Sequence, residues 1–413
     1  MTDPGRLPRL LAGVRRDRRL TLAEHVATHG PLPAPAEARG LVAAVAVAGL
    51  RGRGGGAFET AAKLDAVARS RRRAVVLANG GEGEPMSRKD RLLLAAAPHL
   101  VLDGALAAAA AVGARELIVC VPVDAHDAHA SLQAAIGERD DARGVRVQPV
   151  PRRYLAGEES ALVRFADGGP LRPAVTPPYP SERGVGRRPT LVQNVETFAH
   201  VALIARHGGA WFRALGSPQL PGSALVTLSG AVAHPGVYEI ATGTRLGDLL
   251  AAAGEPTEPL RAILLGGYFG RWHPAATAAE LALDRTLGSG VVVALGASAC
   301  PAAELARSTA WLAGQSAGQC GPCLHGLAAL ADGLARLVAG RADDGDLARI
   351  ERWSGQLDGR GACSLPGGAG AYVRSGLDTF AAELADHHRY GHCTACTAAP
   401  VLRTPPAIEA LAA

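Results

Sequence analysis

Residues 49–85 read GLRGRGGGAFETAAKLDAVARSRRRAVVLANGGEGEP, and the prediction of the fold starts from this stretch. Five glycines lie between Gly49 and Gly56. A loop with so little side-chain bulk lets backbone N–H groups converge on an anion. A helix is predicted from Thr60 to Ala68, and its N-terminus adds a partial positive charge beside the loop. The stretch therefore predicts a phosphate site held largely by backbone, with Lys63 one turn into the helix.

The glycine loop has other possible interpretations. Glycine clusters also form ordinary turns, and this alternative stays open for the loop taken alone. The chain has two lysines, Lys63 and Lys89, and both fall in or just after the stretch, which favours an anion site. Because the loop follows a helical pattern and matches neither the P-loop nor the strand-led GxGxxG spacing, a standard P-loop or Rossmann motif is excluded.

Strand-like and helix-like segments alternate from residue 74 to residue 150. AVVLANGG, ELIVCVPV and RVQPV are predicted strands, separated by predicted helices over residues 95–113 and 128–136. This order is typical of an α/β layer with parallel strands. Ligands of such sheets lie beyond the carboxyl ends of the strands, where the first strand leads into Asn79, Glu82 and Glu84. We expect these side chains at the ligand.

Two later segments add candidates. YLAGEESALVRFADG places Gly157, Glu158 and Glu159 at a turn into a helix, where acids can equally well serve the helix dipole. The proline-rich segment TPPYPSERGVGRRPTLVQNVET contains Tyr179 and ends where a helix is predicted to begin. Such a long segment favours a binding loop, with a plain surface loop as the alternative.

The second half of the chain has a different pattern. After a boundary near residues 210–221, two alternating strands, a helix and a further strand predict a small β-grasp-like or ferredoxin-like domain. From residue 302 onward, four amphipathic segments predict a helical bundle. Cys320 and Cys323 in AGQCGPC, with the distant Cys363, fit iron–sulfur or zinc ligation.

The remaining cysteines are less informative. Cys393 and Cys396 lie near three histidines and leave open a second metal site, a redox pair or an idle tail, of which the tail or an accessory role is favoured. Cys300 is expected to be buried and inert. Seven cysteines, an odd number with two CxxC pairs, favour metal or redox use over a disulfide framework.

Composition excludes several classes of function. The net charge is +5, but the arginines are scattered among acids and aromatic residues make up only 4% of the chain, so a nucleic-acid groove is not indicated. No apolar run reaches the length of a membrane span. The basic N-terminus lacks the apolar core of a secretory signal, which predicts a cytoplasmic protein.

Together these motifs resemble the NADH- and FMN-binding flavoprotein subunit of the peripheral arm of respiratory complex I. The resemblance runs from about Gly49 to about Tyr372 and includes GLRGRGGGAF, NGGEGEP, GEES, PPYP and QNVET in the family's order. Together with the pattern along the chain it predicts five parts: an N-terminal helical segment (1–48), an α/β domain for FMN and NADH (49–215), a β-grasp-like domain of the SLBB type (222–296), a helical iron–sulfur domain (300–385) and a C-terminal tail with a CxxC pair (386–413).

The resemblance also implies a role for individual residues. The FMN contacts that it implies are Gly52, Gly54, Gly55, Lys63, Asn79, Glu82, Gly157, Glu158, Gln193, Asn194 and Thr197. The NADH contacts that it implies are Phe58 near the nicotinamide, Glu84, Glu159 and Tyr179, whose ring would stack on adenine. No side chain is assigned a catalytic role. Gly81 stands where the family has an acid, which removes one flavin contact.

The family ligates a [4Fe–4S] cluster with four cysteines, and this chain retains three of them. Ala317 stands in the place of the first, leaving Cys320, Cys323 and Cys363. The expected occupant is a [4Fe–4S] cluster with a fourth ligand from water, a carboxylate, His325 or Cys393, or else a [3Fe–4S] cluster; zinc is the competing occupant.

The implied function is oxidation of NADH by FMN, with single electrons passing through the cluster to a partner. That partner would be a thioredoxin-like [2Fe–2S] subunit or a ferredoxin-type acceptor, and the membrane would be met only indirectly, through a complex. The alternative is a non-catalytic assembly subunit with the same fold that has lost its cluster, for which Ala317 and Gly81 are the arguments.

Overall fold

The computed structural model describes residues 5–15, 17–33, 40–70, 72–174 and 176–408, except for the side chain of Arg285. Residues 1–4 of the predicted N-terminal segment and residues 409–413 of the predicted C-terminal tail lie outside the described residues.

An α/β region comes first and is built on a parallel sheet. Its strands are β1 (Ala74–Asn79), β2 (Ala114–Pro122), β3 (Val145–Val150) and β4 (Thr190–Asn194). Its helices are α1 (Leu22–His29), α2 (Leu41–Ala48), α3 (Thr60–Ala68), α4 (Lys89–Ala96), α5 (Pro98–Val112), α6 (His126–Gly137), α7 (Glu159–Ala166), α8 (Pro180–Arg183) and α9 (Val195–Arg213). The strand order is β3-β2-β1-β4, with every neighbouring pair parallel. The predicted α/β layer is confirmed, and β4 is an addition to the three predicted strands.

Strand β1 is apolar throughout because both faces of the sheet are covered. Val75 and Leu77 belong to the core on one face, and Val76 and Ala78 to the core on the other. A parallel sheet covered by helices on both faces has this continuous apolar pattern rather than strict alternation. The sheet edge at the carboxyl ends of the strands is therefore where polar side chains can gather.

A mixed-sheet region follows. It consists of β5 (Ser223–Gly230), β6 (Gly236–Ala241), α10 (Leu246–Ala252), β7 (Leu260–Leu265), β8 (Arg271–Pro274), α11 (Ala275–Ala278) and β9 (Val291–Gly296). The strand order is β6-β5-β9-β7-β8, in which only the β5–β9 pair is parallel. The region has its own apolar core on one side of the sheet.

A helical region completes the chain. Its helices are α12 (Pro301–Gly314), α13 (Ala328–Val338), α14 (Asp346–Gln356), α15 (Leu365–Thr379) and α16 (Ala381–Tyr390), with a π-helical turn at Pro322–Leu327 before α13. Among the described residues no single helix has the length and apolar composition of a membrane span; only α4 and α5 taken together do, and they are bent by 96° at their break.

Residues 391–408, here called the C-terminal strap, are packed against all three regions. The carboxylate of Glu304 on α12 accepts hydrogen bonds from the backbone of Val401 and Leu402 at 2.9 and 3.0 Å. The hydroxyl of Tyr268, in the mixed-sheet region, donates to the carbonyl of Arg403 at 2.6 Å. Ile408 pairs with Arg152 of the α/β region as an isolated bridge. The strap is therefore not an idle tail.

Candidate functional site

The carboxyl ends of β1 and β4 form a crevice. From β1 the chain crosses to β2 on one side, while β4 lies on the other, so the crevice is a topological switch point of the kind where α/β sheets bind ligands. Asn79 and Asn194 end these two strands and are direct neighbours in the register. The two asparagines that the sequence singled out thus lie side by side.

The glycine loop covers this crevice as a hairpin. The Gly52 amide donates to the carbonyl of Phe58 at 2.8 Å, and the Thr60 amide donates to the carbonyl of Leu50 at 3.0 Å. A Cβ at Gly54 would lie 3.2 Å from the Cβ of Asn194, closer than such contacts normally come. The backbone amide of Arg53 donates to the hydroxyl of Thr197 at 2.9 Å and ties the loop to α9. A side chain at Gly54 would force the loop away from β4.

Gln193 carries an unpaired polar atom beneath the loop. The side chain is 5% exposed, and its amide nitrogen has no hydrogen-bond partner among the described residues. Its amide oxygen lies 3.7 Å from where a Cβ at Gly52 would be. A buried donor without a partner costs about 1–3 kcal/mol. The site therefore fits a ligand that brings an acceptor, such as a carbonyl or phosphate oxygen, between the loop and β4.

An open cleft of about 590 Å³ lies on the outer side of the loop and is lined in part by Arg51, Phe58, Lys63 and Ser181. The Lys63 ammonium forms an ion pair with Glu159 at 2.5 Å and lies 5.4 Å from the ring centre of Phe58. Lys63 and Glu159, predicted to contact different cofactors, thus meet at one wall of the cleft.

Phe58 and Tyr179 are among the few large apolar side chains that face solvent. They expose 67% and 56% of their surface, whereas most large apolar side chains of the described residues are buried. An exposed aromatic ring is costly unless a partner covers it, and adenine and nicotinamide rings are suitable partners.

Glu82 is engaged by the protein itself. One carboxylate oxygen accepts from the hydroxyl of Ser87 at 2.6 Å and from the amide of Asp90 at 2.9 Å, and the other accepts from the amide of Arg91 at 3.1 Å. Glu82 thus satisfies the free N–H groups at the start of α4. Its contact with FMN stays a prediction.

Glu84 joins the α/β region to the mixed-sheet region. Its carboxylate accepts from the amide of Met86 at 3.2 Å and from the amide of Tyr268 at 2.8 Å. Burial raises the pKa of Glu84 to about 7, against these hydrogen bonds and one from the hydroxyl of Tyr154, which lower it. Glu84 does not line the cleft, and its contact with NADH likewise stays a prediction.

Asn79 and Ala156 account for the glycine at position 81. The amide nitrogen of Asn79 donates to the carbonyl of Ala156 at 3.2 Å, and the Gly81 amide donates to the Asn79 side-chain oxygen at 2.9 Å. A Cβ at Gly81 would lie 3.0 Å from that oxygen and 3.2 Å from Ala156.

Glu158 caps helix α7. Its carboxylate accepts hydrogen bonds from the backbone amides of Ser160 and Ala161, in the first turn of that helix.

A buried ion cluster, not predicted from the sequence, supports Asn194. The Lys89 ammonium lies 2.7 Å from Asp90 and 2.8 Å from Glu196. Burial opposes the charge on Lys89, but the two carboxylates outweigh burial and raise the pKa of Lys89. Asp90 in turn accepts from the side-chain amide of Asn194 at 2.6 Å. The sequence feature that could have indicated this cluster is Lys89 itself, because it is one of only two lysines and lies in a segment otherwise typical of a buried helix.

The three predicted metal ligands of the helical region lie together. Cys320, Cys323 and Cys363 line one small cavity between the π-helical turn and the start of α15. Ala317 and Gln319 also line it, whereas His325 and Cys393 do not. Burial, and then the neighbouring Cys320, raises the pKa of the Cys323 thiol to about 12. A site of three thiol groups with Ala317 at the fourth position matches the expected incomplete cluster motif.

The last three cysteines form a separate group; the sequence left a metal site at Cys393 and Cys396 open but did not include Cys300 in it. Cys300, Cys393 and Cys396 converge with His387, and their potential ligand atoms all lie within 4.8 Å of one another. Cys300 is buried as expected, but its sulfur lies 3.3 Å from the His387 ring nitrogen. The second CxxC pair therefore faces a histidine and a distant cysteine.

Comparison with protein families gives three matches along the chain. Residues 45–203 match the Nuo51 FMN-binding domain, residues 225–267 match the SLBB domain, and residues 303–387 match the NADH-ubiquinone oxidoreductase-F iron–sulfur binding region. The first match contains the glycine loop and the crevice, and the last contains Cys320, Cys323 and Cys363.

Individual relatives match most of the chain. An F-type subunit of NADH-quinone oxidoreductase from Rhizobium meliloti (strain 1021), the second of that type by its name, is 31% identical over 86% of this chain and 90% of its own length. The alpha subunit of the NAD-reducing hydrogenase HoxS of Cupriavidus necator is 31% identical over 80% of this chain and 58% of its own. A crystal structure of an NAD⁺-reducing [NiFe]-hydrogenase in the H₂-reduced state superimposes with a TM-score of 0.79 and 33% identity, covering 87% of this chain and 67% of that one.

Proposed function

The chain belongs to the family of F-type subunits of NADH-quinone oxidoreductase, and on that premise we propose that it oxidises NADH at a bound FMN and passes the electrons through an iron–sulfur centre to a partner protein. The observation that carries the proposal is the glycine loop held over the β1–β4 crevice, with the unpaired Gln193 amide beneath it. The three-cysteine cavity supplies the electron exit.

FMN fits the crevice by the chemistry of its donors. The Gly52 amide is already bonded to Phe58, so the loop amides proposed for FMN are those of Gly54 and Gly55, and the Gln193 amide needs an acceptor of the kind that a flavin or its phosphate provides. When bound, FMN accepts an electron pair as hydride and gives up electrons one at a time. The Lys89 cluster fixes Asn194, and the Arg53–Thr197 bond fixes the loop, so the protein's part is to orient the flavin and exclude water.

NADH fits the open cleft. The exposed ring of Phe58 lines the cleft and is proposed for nicotinamide, and the exposed ring of Tyr179, two residues before Ser181 of the lining, is proposed for adenine. The Lys63–Glu159 pair offers a cation and a carboxylate for phosphate and ribose groups. Glu84 is more remote from the cleft, and its role in holding the two regions together is compatible with only an indirect effect on NADH.

The cysteine cavity is proposed to hold one cluster with an open coordination position. Cys320, Cys323 and Cys363 supply three thiolates, which suffice for a [3Fe–4S] centre or for three corners of a [4Fe–4S] centre. Ala317 offers no ligand atom, and neither His325 nor Cys393 reaches the cavity; of the residues that line it, Gln319 has the one side-chain oxygen. A labile [4Fe–4S] centre completed by water or Gln319 is the occupant we propose.

The architecture and partners are proposed in the same terms. The mixed-sheet region is read as a β-grasp module that spaces the flavin region from the helices, and α12–α16 as the helical iron–sulfur domain, with the limits 49–215, 222–296 and 300–385. The relatives are named as subunits of multisubunit enzymes. A thioredoxin-like [2Fe–2S] subunit or a ferredoxin-type protein is the acceptor we propose, in the cytoplasm and at the membrane only through a complex.

Cofactor content tests the proposal. Protein purified without oxygen is expected to contain about one FMN and three or four irons per chain, with a cluster signal in electron paramagnetic resonance. A colourless preparation that takes up neither flavin nor iron on reconstitution would favour the non-catalytic assembly subunit.

Position 317 gives a sharper test of the cluster. Ala317→Cys restores a thiol at the wall of the cavity, so its cluster is expected to persist several-fold longer in air than that of the unmodified protein, measured as decay of visible absorbance. Ala313→Cys, on the preceding helix and outside the cavity lining, is the matched control and should not slow the decay. Equal decay in all three proteins would mean that the protein already supplies a fourth ligand.

A further inference from the structure

Cys300, His387, Cys393 and Cys396 make a second cluster of soft ligands, separate from the cavity of the iron–sulfur centre. Cys300 begins α12, whereas Ala317 follows its end, and 14 helical residues separate the two places. At 1.5 Å per residue this places the two groups about 20 Å apart. The group also lies largely outside the family's iron–sulfur match, which ends at His387 and does not include the three cysteines.

We propose that these four residues bind one structural Zn²⁺ ion. Three thiolates and one imidazole are among the ligand sets typical of closed, tetrahedral structural zinc sites. The four side chains come from three elements, the start of α12, the last turn of α16 and the short 3₁₀ turn at Thr394–Thr397, of which the first is distant in sequence from the other two.

The spacing of the ligand atoms matches that of a zinc tetrahedron. Zn–S bonds of about 2.3 Å and Zn–N bonds of about 2.0 Å give edges of about 3.8 Å between sulfurs and about 3.5 Å between sulfur and nitrogen. Here the sulfur of Cys396 lies 3.6 Å from that of Cys300 and 3.7 Å from that of Cys393. The ring nitrogen of His387 lies 3.3 Å from the Cys300 sulfur and 3.7 Å from the Cys396 sulfur.

These distances disfavour a cuboidal iron–sulfur cluster at the same place. A cluster places several metal atoms and bridging sulfides between its thiolates, so the cysteine sulfurs stand much further apart than in a site with a single ion. The group here surrounds a space for one ion. Tetrahedral coordination by thiolate and imidazole is the preference of zinc.

Backbone hydrogen bonds already support two of the three sulfurs. The amide of Ala303 donates to the Cys300 sulfur and the amide of Cys393 donates to the Cys396 sulfur, both at 3.4 Å. The first of these amides belongs to the first turn of α12, where the helix dipole also favours negative charge. Such outer contacts orient metal ligands and stabilise thiolates.

The ion would fix the beginning of the C-terminal strap. Cys393 and Cys396 precede the strap residues that contact Glu304, Tyr268 and Arg152. Each of these three residues belongs to a different region of the protein. A zinc ion bound to α12, α16 and the strap would thus hold the three regions together, with no part in electron transfer.

Metal analysis of the full-length protein tests the site. The unmodified protein is expected to contain about one zinc per chain in addition to iron. Cys393→Ser with Cys396→Ser should lose at least about nine-tenths of the zinc and keep its iron, whereas Cys320→Ser with Cys323→Ser should lose iron and keep zinc. Cys120→Ser, a buried cysteine of β2 outside both groups, should keep both metals.

Three further measurements protect the test against misfolding of a variant. His387→Cys, which keeps four ligands, should retain zinc where His387→Ala does not. The unmodified protein loaded with Co²⁺ in place of zinc should show the intense visible absorption of a four-coordinate thiolate site. Trypsin should cut after Arg403 several-fold faster in the cysteine double variant than in the Cys120 variant.

The outcomes separate this proposal from the proposed function. Zinc without FMN or iron would support the zinc site and contradict the flavoprotein. FMN and iron without zinc, iron in this site, or zinc content equal in all variants would each overturn the zinc site and leave the flavoprotein standing.

Discussion

Lys63 is the charged side chain that links the glycine loop to the cleft. It lies on α3 one turn after the loop; its side chain is 26% exposed, and its ammonium is paired with Glu159. An ammonium at this place can serve an anionic ligand as a point charge, while the backbone of the loop supplies neutral donors. The exposed pair contributes little to folding, so its removal should affect binding more than stability.

Replacement of Lys63 measures that contribution. Lys63→Gln is expected to weaken FMN binding by about 1.5 to 3 kcal/mol, the range of a hydrogen bond to a charged group. The measurement is the dissociation constant of FMN from the apoprotein. Arg69→Gln removes a positive charge from the same helix at an exposed place outside the cleft and should leave FMN affinity unchanged. Equal affinity in the Lys63 variant and the unmodified protein would remove Lys63 from the site.

Glu84 predicts a pH dependence of stability. Its pKa rises from 4.5 to about 7 because the carboxyl is buried, so the folded protein keeps this proton where the unfolded chain has lost it. The stability due to protonated Glu84 is complete below pH 4.5 and is lost as the pH rises through 7. The loss amounts to about 3 kcal/mol for a shift of this size.

Comparison with Glu84→Gln isolates this contribution. The amide of Glu84→Gln stays neutral throughout. Between pH 4.5 and pH 8 the free energy of unfolding of the unmodified protein is therefore expected to fall by about 3 kcal/mol relative to that of Glu84→Gln. Urea unfolding at a series of pH values gives the measurement. A difference that stays constant over this range would show that Glu84 is ionised in the folded protein.

At the scale of elements, the flavin region depends on the close packing of α5 against α9. A Cβ at Gly104 on α5 would lie 1.7 Å from the carbonyl oxygen of Phe198 on α9. Helix α9 begins at Val195, directly after Asn194 and the crevice. The two helix axes approach closely because position 104 has no side chain, and this approach sets where α9 presents its first turn.

Gly104→Ala should therefore destabilise the α/β region. Overpacking is expected to cost at least about 1–3 kcal/mol, because two backbones must separate rather than one flexible side chain move. Gly137→Ala, on α6 with nothing within 4 Å of the added methyl group, is the matched control and should be neutral or slightly stabilising. Thermal unfolding compares them; equal melting temperatures would contradict the packing argument.

The elements that the sequence predicted are those with strong local patterns. AVVLANGG and ELIVCVPV became β1 and β2 because they contain continuous apolar runs bounded by turns, and RVQPV, in which apolar and polar residues alternate, became β3. Strand β4 was missed because its five residues follow a proline-rich loop and lead straight into a helix cap. The glycine loop could be placed at the site from its composition and the helix that follows it, whereas Gln193 was assigned only through the family resemblance, because its strand was not predicted.

What the sequence did not show depends on contacts between distant residues. Glu84 was expected at NADH, but the backbone amide that engages it belongs to Tyr268, 184 residues away. Cys300 was expected to be inert. Its neighbours in the fold, His387 and Cys396, are 87 and 96 residues away in the sequence, so the sequence alone did not identify them. The number and spacing of cysteines predict that metal sites exist, but only packing shows which cysteines share one.

At the scale of the whole molecule, the three regions form a path from a nucleotide cleft to a cysteine cavity. The cleft and crevice lie in the α/β region, the cavity lies in the helical region, and Glu84 and the C-terminal strap hold the mixed-sheet region against both. Leu155 and Pro173 of the α/β region line the cysteine cavity, and Ala156, the neighbour of Leu155, accepts a hydrogen bond from Asn79 at the crevice. Electrons could therefore pass between the crevice and the cavity within one chain.

An anaerobic titration of the purified, FMN- and iron-containing protein with NADH tests this account most directly. Visible absorption follows the flavin, and electron paramagnetic resonance follows the cluster in the same samples. In the unmodified protein NADH is expected to bleach the flavin, and a reduced-cluster signal is expected to appear with it. In Cys320→Ser the cluster signal should be absent, while NADH still bleaches the flavin. A bound flavin whose absorption NADH leaves unchanged would contradict the account.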